Sequence, residues 1–390
     1  MPFKFPRPEA TYHIILPEYP ERPKTINVEE QPQQSLLTKW LPSRRSRILV
    51  LIILSTILAI SLSAGSIRLG YYLASQQQEP HSIQHLPAPE SHLQAPSSSS
   101  TTQPKKCINP SIRKEWRTLS TETQKSYLNA IICLAHTPSI LGYTSFTLYD
   151  DFPWVHLQMA PYIHNNSPLF LPWHRRFIHL YSFLLSTQCN FSSPLPYWDW
   201  TLDYSSFKSS PVFDPLSFGG DGNYSLPKTV GEGHCVTTGP LAGHLNPLLF
   251  VNTFVPHCLS RGFNYGDGEI KVLSPGWIEQ NVLGQNDFMG FLGGVERGPH
   301  DAVPNAVGGD FISWTAAYDP LSILHHAQLD RLWLMWQKKD STGGRFKEYG
   351  GRSLGESLWM GGLEGEKGDV IVGSVMNPEG EDSELCYGYE

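Results

Sequence analysis

Positive charge is scarce in this chain: 29 Lys and Arg stand against 36 Asp and Glu, for a formal net charge of −7. Binding to nucleic acid needs a basic surface that displaces phosphate counterions, so no nucleic-acid partner is expected. Cysteine is missing from the first 106 residues, and all six cysteines, Cys107, Cys133, Cys189, Cys235, Cys258 and Cys386, fall later. No H-E-x-x-H motif occurs anywhere, and no carboxylate occupies a recognisable general-base position beside a histidine pair, which argues against a zinc hydrolase. Internal repeats are absent too, so a solenoid is not expected. The 11 Trp within a 12% aromatic content supply bulky apolar material for a sizeable core.

One long uncharged run is present. Residues 48–67, ILVLIILSTILAISLSAGSI, have the length a helix needs to cross ~30 Å of hydrocarbon, and they predict a single transmembrane helix over 48–70. Lys39, Arg44, Arg45 and Arg47 precede the run and Arg68 alone follows closely, which places the N-terminus in the cytosol and the rest in a lumenal or extracellular space. The cysteines then all lie where disulfides persist. Residues 1–47, rich in Pro, Glu and Gln, read as a disordered cytosolic tail, and the Gln-, Pro- and Ser-rich residues 71–106 as a stalk. His81, His85 and His92 in that stalk read as solvated linker residues. Asn190-Phe-Ser192, Asn223-Tyr-Ser225 and Asn165-Asn-Ser167 are sequons on the same side of the membrane. The remaining 107–390 form one domain.

Within that domain, Thr121 and Gln124 predict a capping box opening a helix with Tyr127, Ile131 and Leu134 on one face. Further helices are expected around 151–164, 174–186 and 321–338. Gly- and Pro-rich stretches between the last two predict surface loops, and short apolar runs after 341 predict a strand or two.

Histidines gather in this domain at His156, His164 and His174, then at His300, then at the pair His325-His326. An imidazole on an apolar helix needs a compensating partner, and metal coordination is one. Phe170-Leu-Pro-Trp-His174-Arg175 is one long pattern; Asp319-Pro320, His325-His326 and Asp330-Arg331 form another. On these the chain resembles the tyrosinase family, its fungal members most closely. The likeness takes in CINPSIRKEWRTLS from Cys107, PYWDW at 196–200 and LCYGY at 385–389.

The resemblance implies a mainly α domain: a four-helix-bundle core carrying two copper ions, with long loops and minor β structure. It makes His156, His164 and His174 ligands of the first copper, and His300 and His326 ligands of the second. His326 is assigned by its position four before Asp330; spacing alone leaves His325 and His326 interchangeable. Imidazole suits copper, and two ions can each supply one of the electrons that dioxygen needs to reach the peroxide level. The implied reaction hydroxylates a monophenol or oxidises an o-diphenol to a quinone. The substrate would be a phenolic small molecule of fungal secondary metabolism or a tyrosine in a peptide. Asp301 matches a position that influences phenol deprotonation and is the candidate catalytic residue; capping a turn is its alternative role. Arg175 and Asp330 are expected to pair and tie two copper helices together. Tyr387-Gly-Tyr389 resembles the motif that closes the family's core, and no lid domain is expected after it.

Several positions depart from the pattern. Pro304 stands where the family has the second copper's remaining histidine, four residues after His300. It removes both a ligand and a backbone bond, a loss of ~3 kcal/mol in a helix interior. Asn305 next to it is a poor substitute. Ser182 replaces a Glu and Ser322 replaces a Phe near the copper mouth. Trp154 occupies the position two before His156, so no cysteine–histidine thioether is expected there. Pro304 leaves open a second reading, a catalytically silent relative that serves binding or scaffolding.

Overall fold

In the computed structural model, residues 107–390 are described apart from 251–253, 265–269, 366–369 and 382. The expected membrane span, cytosolic tail and stalk lie outside the described residues; among these, no helix is long and apolar enough to cross a membrane. Helix α1, Thr121–Leu134, is capped by Ser120, whose side chain accepts from the Thr123 N–H. The cap is thus one residue earlier than the capping box predicts. Gln124 donates instead to the Trp116 carbonyl at 2.8 Å, which fixes the entry of the chain. The expected face, Tyr127, Ile131 and Leu134, is buried.

Helix α2, Leu148–Ile163, opens on a true capping box between Thr147 and Asp150, three residues before the predicted start. It stops after Pro161, where Asn165 and Asn166 take left-handed φ values of 61° and 64°, a conformation asparagine tolerates better than most residues. That turn leads into α3, Phe170–Cys189, whose buried positions run almost all round its first turns. Helix α6, Leu321–Lys338, has the predicted bounds. Two shorter helices, α4 (Phe288–Val295) and α5 (Asp301–Val307), precede it, joined by the π-turn Glu296–His300.

Helices α1, α2 and α3 pack on one another and α3 packs on α6, around one core to which all four contribute. The segment PYWDW clasps α6: the Trp198 N–H donates to the Leu324 carbonyl at 3.3 Å and Gln328 donates to Asp199 at 2.8 Å. Arg261, wholly buried, forks onto both Asp319 oxygens at 2.7 and 2.9 Å, while one of those oxygens accepts the Leu321 N–H at the start of α6. The loop region is thereby tied to the helix that carries His325 and His326. Strand pairing is minor. Strand β1 (Ser111–Arg113) runs parallel to β8 (Tyr387–Tyr389) with Ser111 opposite Tyr387. Three antiparallel two-stranded ribbons join β2 (His234–Cys235) to β5 (Ser260–Arg261), β3 (Leu248–Phe250) to β4 (Phe254–Pro256), and β6 (Ser357–Leu358) to β7 (Val370–Ile371). The last of these supplies strand structure after 341, as expected.

Candidate metal centre

The first histidine trio comes from two helices and the turn between them. His156 lies within α2, His164 caps its C-terminus, and His174 sits one turn into α3. The left-handed Asn165–Asn166 turn reverses the chain and returns the third imidazole to the first two. Their ligand nitrogens all fall within 4.8 Å of one another, and the Nε2 atoms of His156 and His164 are 3.1 Å apart. Two rings are aimed from behind: Nδ1 of His156 bonds the Trp314 carbonyl and Nδ1 of His174 the Phe170 carbonyl, both at 2.7 Å. Nε2 of His174 is buried without a hydrogen-bond partner among the described residues. Metal ligands are commonly oriented in this way, by an acceptor on the second ring nitrogen. Desolvation pulls His156 down to about 4 and holds His164 and His174 well below the usual imidazole range, so all three are neutral at pH 7. Neutral, converging and buried imidazoles fit a copper ion.

A second group faces the first. The His326 ring stacks on His174 with centroids 4.2 Å apart and planes 5° from parallel, and His300 lies 5.3 Å from His164. His300 and His326 are 5.5 Å apart. The structure therefore brings together all five sequence-assigned histidines. Asp301 does not enter the centre: its carboxylate is 62% exposed and 3.8 Å from Nδ1 of His300.

The helix around Pro304 forms, contrary to the doubt its sequence raises. His300 is the N-cap of α5, so the N–H missing at Pro304 is the one that would bond the His300 carbonyl; that single bond is lost and the helix still runs to Val307. Downstream, the Gly308 N–H closes onto the Pro304 carbonyl at 2.8 Å. Upstream, the π-turn bends at Gly298, where a Cβ would come within 2.5 Å of the Trp277 ring. The Asn305 amide nitrogen donates back to the Asp301 carbonyl at 2.6 Å.

Glu296 was not legible as a site residue. It is buried, its Oε2 accepts the Asn166 N–H at 2.5 Å, and its Oε1 is 4.0 Å from Nδ1 of His164. Burial pushes its carboxyl up. The side chain thus bridges the turn carrying His164 to the π-turn carrying His300. Its place four residues before His300 gave no sign of burial. Arg175 and Asp330 do pair, through Nε and Oδ1, and Asp330 also accepts the hydroxyls of Tyr387 and Tyr389, each at 2.6 Å. No thioether forms, since all six cysteines are in disulfides, Cys107–Cys386, Cys133–Cys189 and Cys235–Cys258.

The family model for the common central domain of tyrosinase matches residues 147–339, a span that holds every histidine of the centre. Tyrosinase-like protein phomQ1' of Diaporthe leptostromiformis is 37% identical over 319 residues, covering 74% of this chain and 82% of that protein. The chain belongs to the tyrosinase family. Tyrosinase ustQ of Aspergillus flavus is likewise 37% identical, over 308 residues, covering 76% of this chain and 84% of that protein. Among solved structures, a polyphenol oxidase variant from Thermothelomyces thermophila superposes with a TM-score of 0.61 at 27% identity, over 72% of this chain and 89% of that one. The mainly helical core with minor sheet is therefore the tyrosinase fold, and the two facing histidine groups occupy the family's central domain.

Proposed function

We propose that this chain is a copper-dependent oxidase that uses dioxygen to hydroxylate monophenols or oxidise o-diphenols to quinones. The carrying observation is the face-to-face packing of the two histidine groups, with His174 stacked on His326 at 4.2 Å. His156, His164 and His174 would hold one copper, and His300 and His326 the other. When bound, the copper pair supplies the electrons that reduce dioxygen and the Lewis acidity that binds a phenolate. The protein's part is to exclude water, fix the imidazoles and take the phenol proton. Glu296 and Asp301 are the carboxylates that, among the described residues, come within 4.0 Å of an imidazole of the centre. Glu296 is occupied by the Asn166 backbone. Asp301 is open to solvent and suits proton acceptance from an incoming phenol. The half-buried Trp314 ring, 5.6 Å from His164, offers a face on which a phenol can stack.

The substrate we favour is a phenolic metabolite or a tyrosine within a peptide. N-acetyl-6-hydroxytryptophan oxidase ivoB of Emericella nidulans, 29% identical over 345 residues, is named for an oxidation of a hydroxylated aromatic ring. We place the domain on the outer side of a membrane, held by residues 48–67. Three disulfides suit an oxidising compartment. Resistance of the chain to alkaline extraction from membranes, with the domain protected from external protease in sealed vesicles, checks that placement.

The deciding experiment loads the full chain with copper and follows oxygen uptake with a monophenol and an o-diphenol. Phenol-dependent uptake is expected. One bound copper or none, with no uptake on any phenol, would favour the second reading, a silent relative with a decayed copper site, which Pro304 keeps in view.

A further inference from the structure

His325 has no task in the arrangement above. It is wholly buried, yet neither ring nitrogen has a hydrogen-bond partner among the described residues. A buried imidazole always presents an N–H, and leaving such a group unpaired costs about 1–3 kcal/mol. Trp200 at 6.2 Å and Phe311 at 5.7 Å flank the ring and provide no side-chain acceptor. Its remaining ring neighbours are His300 at 6.0 Å and His326 at 5.4 Å. Nδ1 of His300 and Nδ1 of His326 are also buried without a hydrogen-bond partner among the described residues, Asp301 standing 3.8 Å from the first.

Ring-centroid spacings in the first trio are 5.1, 5.3 and 5.5 Å. Those among His300, His325 and His326 are 5.4, 5.5 and 6.0 Å. The second trio is therefore only slightly wider in its ring spacing. Its nitrogens do not meet within the 4.8 Å of the first, so side-chain rotation must bring them together.

We propose that His325 takes the place left empty at Pro304, so that the second copper is held by His300, His326 and His325. The proposal rests on the dicopper reading above. Neighbouring helical residues diverge by about 100°, so His325 and His326 would approach the ion from different sides. Ser322 lies one turn before His325 on the same face of α6. It is buried, and its hydroxyl has no hydrogen-bond partner among the described residues. A single cation would satisfy buried nitrogens on all three rings.

The test is copper per chain, measured on the full chain after loading and dialysis, together with the paramagnetic Cu(II) signal and circular dichroism. The parent chain should hold two coppers with a largely silent signal, because paired Cu(II) ions cancel. His325→Leu should hold one and show the signal of an isolated ion, and His325→Leu with Pro304→His should regain the second. Two coppers retained by His325→Leu would overturn the ligand assignment and leave the phenol-oxidase reading standing. One or none in the parent chain would overturn both. A copper loss in His325→Leu that Pro304→His does not reverse would mark a packing defect and also overturn the assignment.

Discussion

Burial fixes the protonation of the histidines before any metal arrives. Desolvation lowers His156 from 6.5 to about 4 and puts His164, His174, His325 and His326 well below 6.5. Between about 4 and 6.5 the unfolded chain therefore binds protons that the folded chain refuses, and stability falls as pH drops through that window. Asp151 has the opposite sign: burial raises it to about 6, so its protonation favours the folded state at low pH. Burial raises Glu115, Glu296 and Asp310 as well, and these four carboxyls do not outweigh five imidazoles. Metal-free protein should accordingly melt at a lower temperature at pH 5 than at pH 7.5; an equal Tm at both would remove the desolvation argument. A second prediction concerns Asp301. If it accepts the phenol proton, Asp301→Asn should cut kcat on monophenols roughly 10²-fold, the lower end for a positioned base, with KM little changed. An unchanged kcat would return Asp301 to a turn-capping role.

At the scale of elements, the two histidine groups differ in support. Backbone carbonyls at 2.7 Å hold His156 and His174, whereas Nδ1 of His300 and of His326 has no hydrogen-bond partner among the described residues. Acceptors behind ligand imidazoles typically change metal affinity by roughly 10–100-fold. Stepwise chelation should therefore strip one copper well before the other. His174→Ala should spare the weakly held ion and abolish the tight one. Two ions leaving together in the parent chain would count against the asymmetry. The same local chemistry explains what was legible in the sequence. Helix α6 matched its prediction because Asp319-Pro320 marks its start and apolar residues recur through Trp336. The first turn of α3 was missed because it contains Pro172 and has no side-chain cap. The true α2 cap was missed because Thr147 lies four residues before the start expected at 151. Pro304 was wrongly suspected as a helix breaker: it deletes only the bond back to His300, and α5 follows a π-turn that bends at Gly298 beside Trp277. Sequence spacing carries no trace of that tertiary contact.

For the whole molecule, the ends of the described domain are fastened at one place. Cys107 joins Cys386, β1 pairs with β8, and Tyr387 and Tyr389 reach Asp330 beside Arg175 and Arg113. Asp330 lies one turn beyond His326, so this closure also bears on the metal helix. Its motifs, CINPSIR and LCYGY, were legible as family likeness, while the pairing of the six cysteines was not, since any of fifteen connectivities fits the spacing. Their sequence separations, 279 for Cys107–Cys386 and 23 for Cys235–Cys258, predict unequal contributions. Loop-closure entropy grows with the logarithm of loop length. The long crosslink should therefore stabilise the domain by roughly 2 kcal/mol more than the short one in that chain-entropy treatment. The measurement is urea unfolding of Cys107→Ser/Cys386→Ser against Cys235→Ser/Cys258→Ser, both copper-free so that metal binding does not mask the difference. The first pair should show the larger drop in unfolding free energy. An equal or smaller drop would mean that the β1–β8 pairing and the Asp330 cluster already hold the two ends together in the unfolded ensemble, leaving the disulfide little entropy to remove.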